Sequence, residues 1–254
     1  RIFKALVGES LKSFIRRIRL EKVCQMFVFT DKSIAQIAAD SGFNSHESFI
    51  RAFRKKFGSN PSKGRAAIKR TIEKFVQQTH GPRLRDGPNL SQFEMIDNSI
   101  TIREIDDIEV YYSRFIGSYS NSATLWLTMM NEVGSEVFFD PESRLICVTH
   151  DIPGLTNFDK CRFDACIQTT KYQLELQKKR IKGGLFAIHS YTEEHQNIDE
   201  ALDEFAKIWL PLSGYVPRNE PVHYAINNLH LAAQALTDPE IDIYVPIIPI
   251  NDEK

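Results

Sequence analysis

The stretch from Thr79 to Gln92, THGPRLRDGPNLSQ, holds two Gly-Pro steps and no hydrophobic period, and it parts two segments of opposite chemistry. Proline lacks the N–H that a helix or a sheet ladder needs, and glycine loses the most conformational entropy when it is ordered. Residues 1–86 carry 19 Lys and Arg against 7 Asp and Glu, while residues 87–254 carry 13 against 26. The whole-chain charge of −1 therefore conceals a cationic third and an anionic remainder. Clustered cations are what counterion release from a polyanion requires, so the first segment has the composition of a nucleic-acid reader and the second does not. A length of 254 residues suits two small domains. We place them at residues 1–78 and 95–254, with residues 79–94 as the linker.

Helical periodicity runs through the cationic third. Ser10 caps a predicted helix that continues to Phe29, with Leu11, Phe14, Ile15 and Ile18 on one side and Leu20, Val23 and Phe27 on the other. Such a helix needs cover on both sides. Ser33 and Gln36 form a capping box for a helix of two turns with Ile34, Ile37 and Ala38 inward. Gly42 then supplies a left-handed turn. Asn44 and Ser45 precede a second helix that buries Phe49, Ala52 and Phe53 and turns Glu47, Ile50, Arg51, Arg54 and Lys55 outward. A short helix, a tight glycine turn and a longer cationic helix make the helix-turn-helix plan, in which the second helix enters the major groove of duplex DNA.

The anionic segment has a period of two. Residues 99–116 read as strand, turn, strand about Asp106 and Asp107, followed by a helix at Thr124 to Val133 and strands at Arg144 to Thr149 and Arg162 to Thr169. The order returns with a strand at Gly184 to Tyr191, a helix at Ile198 to Leu210, and strands at Val222 to Asn227 and Ile241 to Ile247. Phe163 to Ile167 corresponds to Ile241 to Val245, and Trp126 to Trp209. The fold class is therefore α+β: an all-α helix-turn-helix domain, then a tandem β-α-β-β domain with pseudo-two-fold symmetry and a ligand groove between its halves. Six aromatic residues are candidates for lining that groove: Tyr112, Trp126, Trp209, Tyr215, Tyr224 and Tyr244. Alternation sends Tyr111 and Tyr112 to opposite faces, so at most one of them meets a ligand.

Two family resemblances rest on these residues. The run DKSIAQIAADSGFNSHESFIRAFRKKFGSNPS, Asp31 to Ser62, resembles the second helix-turn-helix of AraC-type transcription regulators, and SLKSFIRRIRLEKV ahead of it resembles the helix joining that family's two reading units. Gly42, Phe43, Phe49, Arg51, Phe53, Phe57, Gly58 and Pro61 are in register with the family pattern. Arg1 to Gly8 correspond to the end of a preceding helix-turn-helix, and Gly64 stands where the family has an aromatic residue. The resemblance implies that His46, Glu47, Ser48, Ile50 and Arg51 face base edges. Arg51 has the donor fork that matches guanine, Ile50 suits a thymine methyl, and Glu47 suits a cytosine amino group or, equally, its own helix N-terminus. Arg16, Arg17, Arg54, Lys55 and Lys56 are phosphate candidates. The second segment is similar to GyrI-like effector-binding domains through CRFDACI at Cys161 to Ile167, IWLPLSGY at Ile208 to Tyr215 and DIYVPI at Asp242 to Ile247. That implies a small-molecule groove. Many members place an acid in the strand after the SGY segment; here the sequence is Pro221-Val222-His223-Tyr224-Ala225, so a neutral ligand, or a cation held by ring faces alone, is expected.

The sequence has no GxSxG, no phosphate-binding glycine loop and no HExxH, and nothing in it calls for a cofactor or a metal. Cys24, Cys147, Cys161 and Cys166 form no CxxC pair and are expected as reduced, buried thiols. Without a signal core or a long apolar span, a cytoplasmic protein with no membrane partner is expected. The function read from the sequence is a non-enzymatic transcription regulator that binds promoter DNA, responds to a small-molecule effector and contacts RNA polymerase. A small-molecule hydrolase and a partner-sequestering protein are the alternatives.

Overall fold

The computed structural model describes residues 3–4, 9–30, 32–80, 90–118, 122–151, 156–192, 201–202, 204–218, 220–227, 229–232, 234 and 240–250. The chain divides into two compact units, one built on residues 1–79 and one on residues 80–254.

Among the described residues the first unit has four long helical segments, α1 (Leu11–Phe29), α2 (Ile34–Asp40), α3 (His46–Phe57) and α4 (Pro61–His80). Local chemistry sets their ends. Ser10 accepts from the Ser13 N–H, and reciprocal capping boxes start α2 (Ser33 with Gln36) and α3 (Ser45 with Ser48), each cap worth about 1 kcal/mol. Between α2 and α3 the Gly42 N–H bonds to the Ala39 carbonyl and the Phe43 N–H to the Ala38 carbonyl, with Gly42 at φ 77°. That Schellman turn fixes the angle at which α3 leaves α2. Leu20, Val23, Met26, Phe27, Ile37, Phe49, Phe53 and Ile68 form the core, through which a chain of rings runs from Phe43 by Phe49 and Phe53 to Phe57. Gly64 has a packing reason: a Cβ there would lie 2.5 Å from the Phe53 ring, so glycine lets α4 close on α3. On α1 the side expected to need separate cover is open at Leu11 and Ile15, 54% and 41% exposed, while Phe14 meets the edge of Phe3.

Among the described residues the second unit opens with α5 (Leu90–Asp97), which overlaps the last five residues of the stretch expected to be linker; its Phe93 and Ile96 join a core of the sheet domain. The strands are β1 (Ile100–Ile105), β2 (Ile108–Ile116), β3 (Arg144–Thr149), β4 (Arg162–Gln168), β5 (Gln177–Ile181), β6 (Gly184–Thr192), β7 (Tyr215–Pro217), β8 (His223–Asn227) and β9 (Glu240–Pro249). They make one curled antiparallel sheet in the order β1-β6-β9-β8-β3-β4-β2-β5, with β7 beside β9. Helices α6 (Ser122–Val133) and α7 (Ser135–Phe138) belong to the first repeat, and a π-helical turn, α8 (Phe205–Trp209), to the second. Part of the helix expected at Ile198 to Leu210 lies outside the described residues.

The strand order is a palindrome of the two repeats. Half one is β5-β2-β4-β3 and half two is β1-β6-β9-β8, joined at the β3-β8 seam. Cys147 pairs with Tyr224 at that seam, and each holds the same place in its half, because the next residues, Val148 and Ala225, pair with Asp164 and Asp242. The pseudo-dyad therefore passes between Cys147 and Tyr224. The two strands read on either side of Asp106 and Asp107 do not pair with each other. β1 crosses to lie beside β6, and β5 crosses to lie beside β2, so each half takes its outer strand from the segment that leads into the other.

Side-chain parity assigns the two faces of the sheet. Leu145, Phe163, Ala165 and Ile167 lie under α6 and α7, and Ala187, Ile241, Ile243 and Val245 lie under α5 and α8. The alternate residues, among them Val110, Ile146, Val148, Cys166, Phe186, Ile188, Ala225 and Tyr244, form a third cluster on the opposite face, across both halves.

Candidate functional site

In the helical unit the exposed residues of α3 gather the predicted DNA contacts. His46, Glu47, Arg51, Arg54 and Lys55 are exposed, with Lys56 beside them. Arg54 is held to the Asn60 side chain. Ser48 and Ile50 are partly buried: the Ser48 hydroxyl is engaged with Ser45, and Ile50 packs on the core. Arg16 is partly buried, whereas Arg17 is committed within the unit, to Glu9 at 2.9 Å and Glu21 at 3.2 Å. Arg65 binds the carbonyls of Thr30 and Lys32, which ties α4 to the loop ahead of α2 and steadies the helix-turn-helix from behind.

In the sheet unit, parity separates the six predicted aromatics. Trp209 is 1% exposed, stacks on Tyr215 at 6.2 Å and donates its indole N–H to Asp97. Trp126 meets Phe138 edge-on, and Tyr224 packs with the α8 cluster. These four lie on the helix-covered face. Tyr112 and Tyr244 lie on the other face, which the described helices leave uncovered.

That uncovered face carries two polar clusters which the sequence reading missed. In half one, Asp164 is fully buried and receives Arg114 Nε at 2.7 Å and Nη2 at 2.9 Å, His150 Nε2 at 2.8 Å and Lys179 Nζ at 2.6 Å. Burial works to raise its pKa, but these donors hold the carboxyl well below the usual range. In half two, the His223 ring stacks on Tyr244 at 4.7 Å and meets Phe186 edge-on at 5.2 Å. His223 is 1% exposed, and its Nε2 has no hydrogen-bond partner. Burial, and then the charges of Arg144 and Lys179, push its pKa down to about 3, so the ring is neutral at pH 7. Arg144 reaches across the seam, donates to the Tyr244 hydroxyl and lies 5.3 Å from its ring centre. Alignment of the repeats was a signal for Asp164, since it stands opposite Asp242; Arg144 had none.

A separate cavity of about 610 Å³ lies where the connections 105–108 and 181–184 cross, lined by Glu104, Asp106, Asp107, Glu109, Arg180 and the backbone of Gly183 and Gly184. The burial of Cys24, Cys147 and Cys166 pushes their thiol pKa values up to about 12, which suppresses thiolate chemistry. Among the described residues no group of three His, Cys, Asp or Glu is placed to hold a metal, and no helix is long and apolar enough to cross a membrane.

Comparison with known proteins agrees with this division. The GyrI-like small molecule binding domain matches residues 98–248, more than half of the chain, and a helix-turn-helix domain matches residues 1–67. The chain belongs to the GyrI-like family. Its helix-turn-helix domain is AraC-type. The chain is 33% identical over 99 residues to the uncharacterized HTH-type transcriptional regulator YbfP of Bacillus subtilis (strain 168), covering 37% of this chain and 34% of that protein. It is 38% identical over 65 residues to the probable transcription factor PqrA of Proteus vulgaris, covering 26% and 53%. The chain thus spans between about a third and about half the length of these relatives. A cryo-EM structure of an EcmrR–DNA complex aligns over 89% of this chain and 80% of that one, at 13% identity and a TM-score of 0.45.

Proposed function

We propose that this GyrI-like protein is a one-component transcription regulator, in which α3 reads promoter DNA and the uncovered face of the sheet unit takes a small-molecule effector. The observation that carries the reading is the capped α3, set by the Schellman turn that ends α2, which buries Phe49 and Phe53 and exposes His46, Glu47, Arg51, Arg54 and Lys55 along one side. Arg51 reads a base edge with His46 and Glu47 at the helix N-terminus, while Arg54, Lys55 and Arg16 position the backbone. Ser48 and Ile50 approach the bases behind them. Arg17, tied to Glu9 and Glu21, shapes α1 more than it grips phosphate. Tyr112 and Tyr244 are the ligand-facing aromatics, and Trp126, Trp209, Tyr215 and Tyr224 support the sheet from its helical side. The effector acts by differential affinity for two states of the protein, which changes operator binding or contact with RNA polymerase.

Fluorescence anisotropy with duplex fragments tests the DNA reading. Log affinity is expected to fall against log salt with a slope of about −5 for roughly six neutralised phosphates. Arg51→Ala is expected to cost about 1 to 3 kcal/mol and to relax preference at one base pair. Binding that ignores salt, or an R51A protein with unchanged affinity and preference, defeats it.

A further inference from the structure

The polar groups on the uncovered face discriminate between ligand charges. Asp164, the fully buried carboxylate there, is already saturated by Arg114, His150 and Lys179, so pairing it with a cationic ligand means displacing a protein cation. Asp242 accepts from the Ser190 hydroxyl on one oxygen and from the Asn227 amide on the other. Arg144 has the opposite character. It donates to the Tyr244 hydroxyl, and no carboxylate among the described residues pairs with it. Lys179 shares its single anion with two other donors and stands 5.1 Å over the Tyr112 ring. His223 Nε2 is buried without a partner, and in the tautomer that carries its proton there it offers an N–H to an acceptor. Arg144 bonds to the hydroxyl of Tyr244, whose ring stacks on His223, and His223 pairs across the seam with Val148, whose other strand partner is Asp164, the anion of Lys179, so the three groups border one region. Phe186, Tyr112 and Tyr244 border that region with ring surface.

We infer that the effector is a planar amphipathic anion of the aromatic carboxylate class, its head meeting Arg144, Lys179 and His223 Nε2 and its body lying among Tyr112, Phe186 and Tyr244. The inference rests on the reading of this face as the effector site and adds the sign of the ligand's charge. The Tyr244 ring covers His223, so the ligand slides that ring aside and takes over its bond to Arg144.

Calorimetric titration of the full chain with naphthalene-2-carboxylate and with 2-naphthylmethylammonium, one ring system with opposite charges, is the test. The carboxylate is expected to bind at least roughly tenfold tighter. Arg144→Gln is expected to erase that preference and Arg144→Glu to invert it, with thermal melts confirming that each variant folds. Equal or tighter binding of the ammonium ion overturns the inference and leaves the effector-site reading standing, with Asp242 then the counter-ion to remove. Binding of neither compound up to millimolar concentration overturns both. A carboxylate preference that survives in both folded Arg144 variants also overturns the inference.

Discussion

Asp164 and Asp242 occupy one position in two copies of the same motif, and their neighbours have diverged in a single respect. Arg114 stands opposite Asp164 in the β2-β4 register, and Ser190 stands opposite Asp242 in β6-β9. His150 lies two residues beyond the β3 partner of Asp164, and Asn227 two residues beyond the β8 partner of Asp242. Lys179 on β5 pairs with Val110, as Arg103 on β1 pairs with Phe186. At two of these three positions the duplicated fold has kept a donor to the carboxylate and changed what it carries, Arg114 and His150 against Ser190 and Asn227, while the third, Lys179 against Arg103, keeps its positive charge but donates only in half one. Half one surrounds its carboxylate with cations and buries it completely, while half two gives its carboxylate neutral donors and leaves it partly exposed. Backbone symmetry constrains the geometry of a polar site, and side-chain charge on that geometry remains free to vary.

The largest test of this contrast is Asp164→Asn beside Asp242→Asn. D164N leaves Arg114 and Lys179 without their anion and is expected to cost about 3 kcal/mol in urea denaturation. That is the low end for a broken buried ion pair, because Arg114 is 42% exposed and water takes up part of the charge. D242N is expected to cost less than about 1 kcal/mol. Equal losses break the comparison.

His223 sets the next effect, through pH. Its folded pKa of about 3 lies below the ordinary value of about 6.5 that it regains on unfolding, so the unfolded chain binds more protons between those limits. The stabilisation is complete above about pH 6.5 and is lost as pH falls toward the folded value. Between pH 7 and pH 5 the loss is roughly 2 kcal/mol. His223→Phe, which keeps the stacked ring, is expected to be flatter by that amount. His189, whose pKa burial also lowers, adds the same slope to both proteins and cancels in the difference. An H223F protein that parallels the wild type shows that the imidazole does not resist protonation.

The smallest effect comes from giving half two the chemistry of half one. Asn227→His places beside Asp242 the residue that Asp164 has in His150. A histidine that gains an anion has its folded pKa raised, so the gain is present below about pH 6.5 and disappears as pH rises through the folded value. We expect about 0.5 kcal/mol, read as a higher Tm at pH 5.5 and no change at pH 8. A gain that persists at pH 8 points to packing instead.

Much of the fold was legible because its signals are local. Ser33 with Gln36, Ser45 and Gly42 announce their caps and turn within a few residues, and alternation located β3, β6 and β9 to within a residue or two. What failed was pairing at a distance. Asp106 and Asp107 give an ordinary turn signal, and nothing nearby says that the strands they join part to opposite halves of the sheet. Strand β5, QKKRI, has almost no apolar alternation because Lys179 points at Asp164 rather than at a core, so it escaped notice. The outward residues of α3 could be named from helical periodicity alone. On the sheet face Asp164 is hidden inside the apolar run FDACI, and aromatic character alone does not divide Tyr244 from Tyr224, whereas parity does.

The crossing of β1 and β5 has a consequence for how this fold can be cut. A fragment ending after β4 would keep the first motif but lose the strand that seals its rim, and would carry β1 as an orphan with no β6 to receive it. Neither motif survives as a stand-alone piece, so the interlock makes the duplicated domain inherit or lose its parts together.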